Sequence, residues 1–395
     1  MKRLLFSIGL AALASGVFVA WYTVRQERAF QRLIAAGDAA LARDQTYEAI
    51  EAFSGALALK RESMLAYLKR GDTYRRRGEL ESAFRDLRQA AALDPAAPRP
   101  IELLGDVNAT MGRHERAAEH YAAFTELDDR SPRVYYKLAL AHYRSGRAED
   151  AIEPLLQAVA LDERFTEAHY LLGLCLRDRA DETGALEALT RAVAINPAFT
   201  AAREELADLY ERRDRRSEAI DQLQALAALE PTRAERLVAV GLAYSRWERV
   251  DAAILTLGRA AERFPNEPAV YVALGRVWLQ DAERRNDRVA LSKALEALEP
   301  TAGAATASSA ALTLYGRALL LAGAHAAAER ALLQATMRPP VEPAAFRYLA
   351  DAAEHLGHAA EAQDALRRYV ALVGEHEVEP AVTDRLERLQ RRTRT

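Results

Sequence analysis

Cysteine is nearly missing from this sequence: 395 residues contain one, Cys175. A single thiol excludes an internal disulfide framework and any zinc cluster built from cysteines. Charge of one sign is missing too, since 54 Lys and Arg against 57 Asp and Glu leave a net −3. A chain so close to neutral is not a polyelectrolyte aimed at nucleic acid. Lysine is scarce: Lys2, Lys60, Lys69, Lys137 and Lys293 are the five among those 54 basic residues. That arginine and alanine bias reads as GC-rich bacterial coding and carries no functional information. The signatures of common catalytic sites are also missing. There is no GxxxxGK[ST] loop for phosphate, no HExxH, no GxSxG and no GxGxxG. The expectation is a protein with no enzyme activity, no cofactor, no metal and no small-molecule substrate.

Apolar residues are plentiful, at 50%. Burial can therefore offset chain entropy, and global disorder is excluded. The length fits two or three domains, or one elongated array. The N-terminus differs from the rest. Lys2 and Arg3 precede Leu4 to Val24, which is 21 residues without a charge. About 20 apolar residues suffice to cross a bilayer as a helix. Trp21 and Tyr22 stand near the end of the stretch, where aromatic rings favour the lipid–water boundary. The reading is a membrane anchor over residues 4–24 in contact with the lipid bilayer. The competing reading is a cleaved signal peptide, with Ala12-Leu13-Ala14 or Phe18-Val19-Ala20 before the cut. A lipid anchored on cysteine is excluded, because none lies near the start. Lys2 and Arg3 favour a cytoplasmic N-terminus and export of the chain beyond Val24, whereas Arg25, Arg28 and Arg32 pull the other way. The expected location is the bacterial inner membrane, single-pass, with the remainder periplasmic. The alternatives are release to the periplasm after cleavage, or a cytoplasm-facing chain.

Beyond the anchor the sequence repeats itself. A unit starting at Met64 carries Tyr67, Gly71, Tyr74, Gly78, Ala83, Ala90 and Pro95. A step of 34 residues gives Ile101, Leu104, Gly105, Gly112, Ala117 and Tyr121. The next gives Tyr135, Leu138, Ala139, Gly146, Ala151, Leu155 and Ala158. Further steps reach Gly173, Ala185, Leu189 and Pro197, then Ala207, Ala219 and Pro231, then Gly241, Ala253, Leu257 and Pro265. In spacing and residue type this resembles the tetratricopeptide repeat family, whose 34-residue unit has the pattern W-x2-L-G-x2-Y … A-x3-F … P. An earlier unit fits from Phe30. An eighth starts near Pro268 and loses register at DAERRNDRVA, which inserts about three residues. Register returns with Gly316, Gly323 and Ala328, and a tenth unit carries Phe346, Ala350, Gly357 and Ala362.

The resemblance implies an all-α, right-handed superhelical solenoid. The organisation read from it is residues 1–29 as anchor and flank, 30–376 as ten repeats, and 377–395 as a capping helix with a basic tail. The residue types support the label by themselves. Small residues at unit positions 8, 20 and 27 let two antiparallel helices approach. Large ones at 4, 7, 11 and 24 fill the space between them. Glycine at 15 suits the turn, and proline at 32 ends the second helix. One hairpin cannot bury its apolar face alone, so units must stack.

The same frame supplies candidate sites. Arg75, Arg76 and Arg77 end a first helix, where cations complement the negative helix terminus. His355 and His358 sit three apart without an evident third ligand, and read as a solvated pair. Cys175 lies between Leu174 and Leu176 and reads as a packed thiol. In the resembled family, positions 2, 5, 9, 12 and 13 face a concave groove. Carried over, the fourth unit places Arg133, Tyr136, Leu140, Tyr143 and Arg144 there. The fifth places Tyr170, Leu174, Arg177 and Asp178 there. Aromatic and arginine side chains give binding energy at low entropic cost, so the partner-binding set is Arg133, Tyr136, Leu140, Tyr143, Arg144, Tyr170, Leu174 and Arg177. Position 9 is often acidic, as in Asp38, Asp72, Asp106, Asp208 and Asp351. The family's clamp for chaperone tails needs Lys at position 5 and Asn at 9, and this sequence has neither there. The functional expectation is a non-catalytic scaffold that binds a peptide or protein in a cell-envelope assembly. The alternative is a cytoplasm-facing assembly factor. A lipopolysaccharide-assembly regulator has a similar layout, but it ends in a four-cysteine metal domain that is missing here.

Overall fold

The computed structural model describes residues 2–374 and 378–392, with side chains for 15–374 and 378–391. Every regular element among the described residues is an α-helix. The chain divides into two compact units, residues 1–202 and 203–395.

In the first unit, ten helices pair as five antiparallel hairpins. They are α1 (Lys2–Ala42) with α2 (Thr46–Leu59), α3 (Met64–Arg76) with α4 (Leu80–Leu93), and α5 (Pro98–Thr110) with α6 (His114–Leu127). Then come α7 (Pro132–Arg144) with α8 (Ala148–Leu161), and α9 (Thr166–Asp178) with α10 (Glu182–Ile195). The second unit holds most of α11 (Thr200–Arg212), then α12 (Arg216–Leu229). Its hairpins are α13 (Ala234–Arg246) with α14 (Val250–Arg263), α15 (Pro268–Arg285) with α16 (Arg288–Gly303), α17 (Ser309–Leu321) with α18 (His325–Thr336), and α19 (Pro343–Leu356) with α20 (Ala359–Val373). The last helix, α21 (Pro380–Arg392), packs on α20. Each unit is a stack of hairpins, so the fold is an all-α solenoid of helical repeats.

Hairpin closure rests on one small residue facing one large residue. A side chain at Gly241 would meet Leu257 Cγ at 2.5 Å, and one at Gly173 would meet Leu189 Cγ at 2.5 Å. Ala49, Ala83, Ala117, Ala151, Ala185, Ala219 and Ala253 recur every 34 residues on the second helices, each with 0% exposure. Leu155, Leu189 and Leu257 are equally buried and stabilise by about 1.5–3 kcal/mol each.

The turns obey position more strictly than residue type. Gly78, Gly112 and Gly146 adopt positive φ, as glycine does at no steric cost. At the same 34-residue spacing, Asp44, Ala180, Asp214 and Glu248 do so as well, with φ of 54–62°. The second helices likewise end at one position with or without proline. Leu93 precedes Asp94-Pro95, yet Leu127 and Leu161 end α6 and α8 with no proline after them. The common device is an Asx turn. The side chains of Asp94, Asp128, Asp162 and Asn196 each accept a hydrogen bond from the N–H two residues on, at 3.0–3.2 Å.

The loss of register in the eighth repeat has a physical form. Helix α15 runs 18 residues where α13 runs 13, and it stops at Asn286 in the left-handed region. Its added turns carry Asp281, 4% exposed, which Arg285 reaches at 3.0 Å.

At the other end, α1 is one unbroken helix. Among the described residues no helix is long and apolar enough to cross a membrane. The side chains of residues 4–14, half of the expected anchor, lie outside the described ones, as do residues 377 and 393–395 of the expected cap. Within the described part, Val17, Phe18, Val19, Trp21, Tyr22 and Val24 are exposed, and Phe30, Ile34 and Ala40 pack against α2.

Candidate peptide-binding face

The first helix of each hairpin turns one face away from its partner helix, and at several junctions polar side chains there bond to the neighbouring first helix. In the first unit Lys69 Nζ of α3 reaches Asp38 of α1 at 2.6 Å. Lys137 of α7 reaches Glu102 and Asp106 of α5 at 2.7 and 2.8 Å. Burial disfavours the Glu102 carboxylate, but hydrogen bonds from Lys137 and Arg99 outweigh it and hold its pKa below the usual range. In the second unit Arg236 bonds to Glu204, Arg246 to Glu211 at 2.6 Å, and Arg317 to Glu283 at 2.5 Å. Arg385 of α21 closes the series on Asp351 and Glu354 of α19, at 2.5 and 2.6 Å.

The residues expected to bind a partner stand on α7 and α9. Arg133 and Arg144 are exposed, while Tyr136, Leu140, Tyr143 and Tyr170 are half-buried. Several are electrostatic neighbours: Tyr136 feels Arg144, Glu167 and the phenol of Tyr170, and Tyr143 feels Asp178 and Arg177. Burial raises the phenol pKa of both Tyr136 and Tyr143. Arg177 donates to Asp178 at 2.8 Å. Leu174 is 9% exposed and belongs to the core more than to the surface. Tyr136 and Tyr170 are each committed to one aromatic contact within the stack. Tyr136 packs on Phe165 with centroids 5.1 Å apart, and Tyr170 packs on Phe199 at 4.9 Å in an edge-to-face geometry. Sequence reasoning missed these phenylalanines. Their signal was available, since each stands the same interval after its tyrosine.

Concavities also lie on the corresponding face of the second unit. One, about 490 Å³, is lined by Arg317, Leu320, Arg347, Tyr348, Asp351 and Arg385, among others. Arg317 and Arg347 both lie over the Tyr348 ring, at 5.4 and 5.9 Å. A second, about 400 Å³, lies among α13, α15 and α17, and a third, about 550 Å³, among α11, α13 and α15.

The remaining candidates resolve into structural roles. Arg75 and Arg76 bond to Asp72 at 2.7 and 3.1 Å, and Arg77 lies 3.4 Å over the Tyr47 ring while pairing with Glu79. His355 stacks on His325 at 4.2 Å, and His358 Nδ1 meets Glu329 at 2.8 Å. The two histidines therefore face different partners. No group of three or more His, Cys, Asp or Glu among the described residues is arranged to hold a metal. Burial pushes the Cys175 thiol up to about 12.

Residues 136–200 match the tetratricopeptide repeat family, and residues 27–163 match the family described as bacterial transcriptional activator domain. No curated protein matches the chain. Among solved structures, the C-terminal part of a tetratricopeptide repeat-containing protein from Cytophaga hutchinsonii is 16% identical. It aligns over 61% of this chain and 99% of its own, with a TM-score of 0.53. A protein described as having an unusual peptide-binding site, YrrB, is 22% identical over 48% of this chain and 98% of its own, at TM-score 0.44. The protein MamA is 28% identical over 42% of this chain and 96% of its own, at TM-score 0.40.

Proposed function

With a tetratricopeptide-repeat solenoid as the premise, we propose that this chain is a non-catalytic scaffold that holds a peptide or partner protein on its first-helix face. One observation carries the reading. In the second unit the cavities are lined by the same repeat positions on successive first helices: Val238, Leu242 and Arg246 on α13, then Val272, Arg276 and Gln280 on α15. A recurring concave face of aliphatic and arginine side chains suits an extended ligand better than a compact one. In the first unit, Tyr136, Tyr143 and Tyr170 with Arg133, Arg144 and Arg177 supply aromatic anchors and forked donors for a partner's carboxylates. The array comprises ten repeats over 30–376, closed by the helix in 377–395.

The decisive comparison sets stability against affinity. Tyr136→Ala, Tyr143→Ala and Tyr170→Ala are measured for melting temperature and for binding of a partner recovered from solubilised membranes. At least one should lose about thirtyfold in affinity, the usual effect of a true hot spot. If all three lose stability and none loses affinity, these rings serve only the stack.

The finer part of the proposal is location. Lys2 and Arg3 ahead of an uncharged 4–24, with Trp21 and Tyr22 exposed, support an inner-membrane anchor with periplasmic repeats and a role in a cell-envelope assembly. Arg25, Arg28 and Arg32 support the second reading, a cytoplasm-facing assembly factor. Alkaline phosphatase fused after Thr395 is active only outside the cytoplasm, and a cytoplasm-active reporter at the same place gives the opposite answer. A mature N-terminus near Ser15 or Trp21 would exclude a retained anchor.

A further inference from the structure

Position 9 of the repeat carries acids of the first-helix face. Asp38, Asp106 and Asp351 occupy it and are neutralised by Lys69, Lys137 and Arg385, and Asp72 by Arg75 and Arg76. Leu140 and Leu174 break the pattern on α7 and α9, and it breaks again on α13 and α15. Leu242 stands there on α13, and Arg276 stands there on α15. Arg276 is exposed and takes part in no ion pair among the described residues, because the preceding first helix offers it a leucine in place of an acid. Beside it lies the 400 Å³ cavity, lined by Val238, Leu242, Val272, Ala307 and Ala311. That volume falls within the ~300–1,000 Å³ of ligand-binding clefts. The connection 304–308, which follows α16 in the irregular repeat, forms one wall.

We propose that this face of the second unit selects an internal segment of a partner protein carrying an aliphatic side chain next to an Asp or Glu. The aliphatic group fills the cavity and the carboxylate takes the Arg276 guanidinium. The proposal rests on the peptide-binding reading above. Walls of valine, leucine and alanine call for an aliphatic occupant. A guanidinium with no acid of its own at the cavity's edge calls for a carboxylate, since a forked, charge-assisted pair gains most there from partial exclusion of water. The floor calls for an internal segment. Leu242 and Arg276 also line the 550 Å³ cavity beyond, which is walled by Asp208, Ser245 and Gln280. The path therefore continues past Arg276. Asp208 has no ion pair among the described residues, and burial together with Glu205 and Glu211 raises its carboxyl pKa, so a chain-terminal carboxylate gains nothing by advancing.

The test uses the full chain and random twelve-residue peptides displayed in a loop of a carrier protein, so that no free terminus is offered. Selected peptides should be enriched in a Leu, Ile or Val within two positions of an Asp or Glu. Arg276→Glu should turn that acidic preference basic and weaken the parent's best peptide by at least about tenfold. Ala269→Trp, on the exposed rim of the cavity, should weaken it similarly while leaving the helical circular dichroism unchanged. If the selected peptides bind Arg276→Glu as well as the parent but fail on Tyr136→Ala or Tyr170→Ala, the proposal is overturned and the scaffold reading stands. Selection that succeeds only from a library with free C-termini also overturns it. If neither library gives any binder, both readings fall.

Discussion

Substituting Gly173 by alanine adds a single methyl group where the structure has no space for one. The new Cβ would stand 2.5 Å from Leu189 Cγ and 2.8 Å from its Cδ2. Carbon atoms rest at about 3.5–4.0 Å, so α9 and α10 must part by about 1 Å or Leu189 must leave its rotamer. Leu189 has no exposed surface and cannot swing outwards. Overpacking of this kind costs about 1–3 kcal/mol. Alanine's preference for helix over glycine returns up to about 1 kcal/mol. With the full return, the expected net loss is up to about 2 kcal/mol. The methyl is not forbidden by the fold itself. Ala139 and Ala350 hold the corresponding position, opposite the equally buried Leu155 and Leu366. The cost comes from the place Leu189 has taken against Gly173. Leu189→Ala alone should cost about 2–5 kcal/mol through its cavity. Combined with Gly173→Ala it should cost less than the two singles together, because the methyl enters the vacated space. Urea unfolding of the full chain, monitored by far-ultraviolet circular dichroism, measures all three variants. Amide exchange in α9 and α10 localises the effect. A Gly173→Ala midpoint equal to or above the parent's, or strict additivity in the double variant, would refute the close-approach argument.

Ala180→Gly should stabilise the protein by about 0.5–1 kcal/mol in the same urea assay. An L-residue in the left-handed region costs about 1–2 kcal/mol, and glycine gives back about 0.4–1 in unfolded-chain entropy. Cys175 should be inert to a disulfide reagent at pH 8 in the native protein and react at once in urea, since its thiol is held at about 12 by burial. The hydrogen bond to Glu329 raises the His358 pKa, so Glu329→Gln should bring it down towards the ordinary imidazole value in an NMR titration. Because the folded pKa is the higher one, this pair favours the fold fully below the unfolded value and ceases to do so as pH rises through the folded one. Arg385→Ala should leave the hairpins intact while amides of α21 exchange faster, from a loss of at most about 1 kcal/mol in docking.

The hairpin period was legible because it is written in local pairs: a small residue at one position and a large one sixteen further on, repeated every 34. The turn was legible only in part. Gly78, Gly112 and Gly146 announce it, whereas Ala180 and Glu248 adopt the same backbone because two packed helices compel them to. Proline looked like the terminator of the second helix, but the Asx turn at Asp128 and Asp162 ends it without one. The binding face was harder to read. Periodicity put Leu174 towards the groove, yet the neighbouring helices cover it. Tyr136 and Tyr170 were read as groove residues, but Phe165 and Phe199 were passed over, since each stands at the far end of its 34-residue unit, beyond the positions that mark the hairpin. Arg276 was hidden for a different reason. An exposed arginine is ordinary in a sequence with so many, and what sets this one apart is the leucine placed before it on the adjacent helix.

The left-handed turns from residue 44 to residue 248 keep an interval of 34, after which the next falls at Asn286 and the one after that at Gly323. An array built this way can gain a member by copying any 34-residue stretch. The copy brings its own internal lock, such as the Gly173–Leu189 contact, together with half of a junction that its neighbour already completes. Lengthening by duplication therefore requires no new core to be invented. The later change of interval marks a different kind of event, a growth inside the helices α15 and α16 themselves. A lineage of related chains should accordingly vary in two separable ways: in the number of whole modules before residue 248, and in the length of this one enlarged hairpin after it.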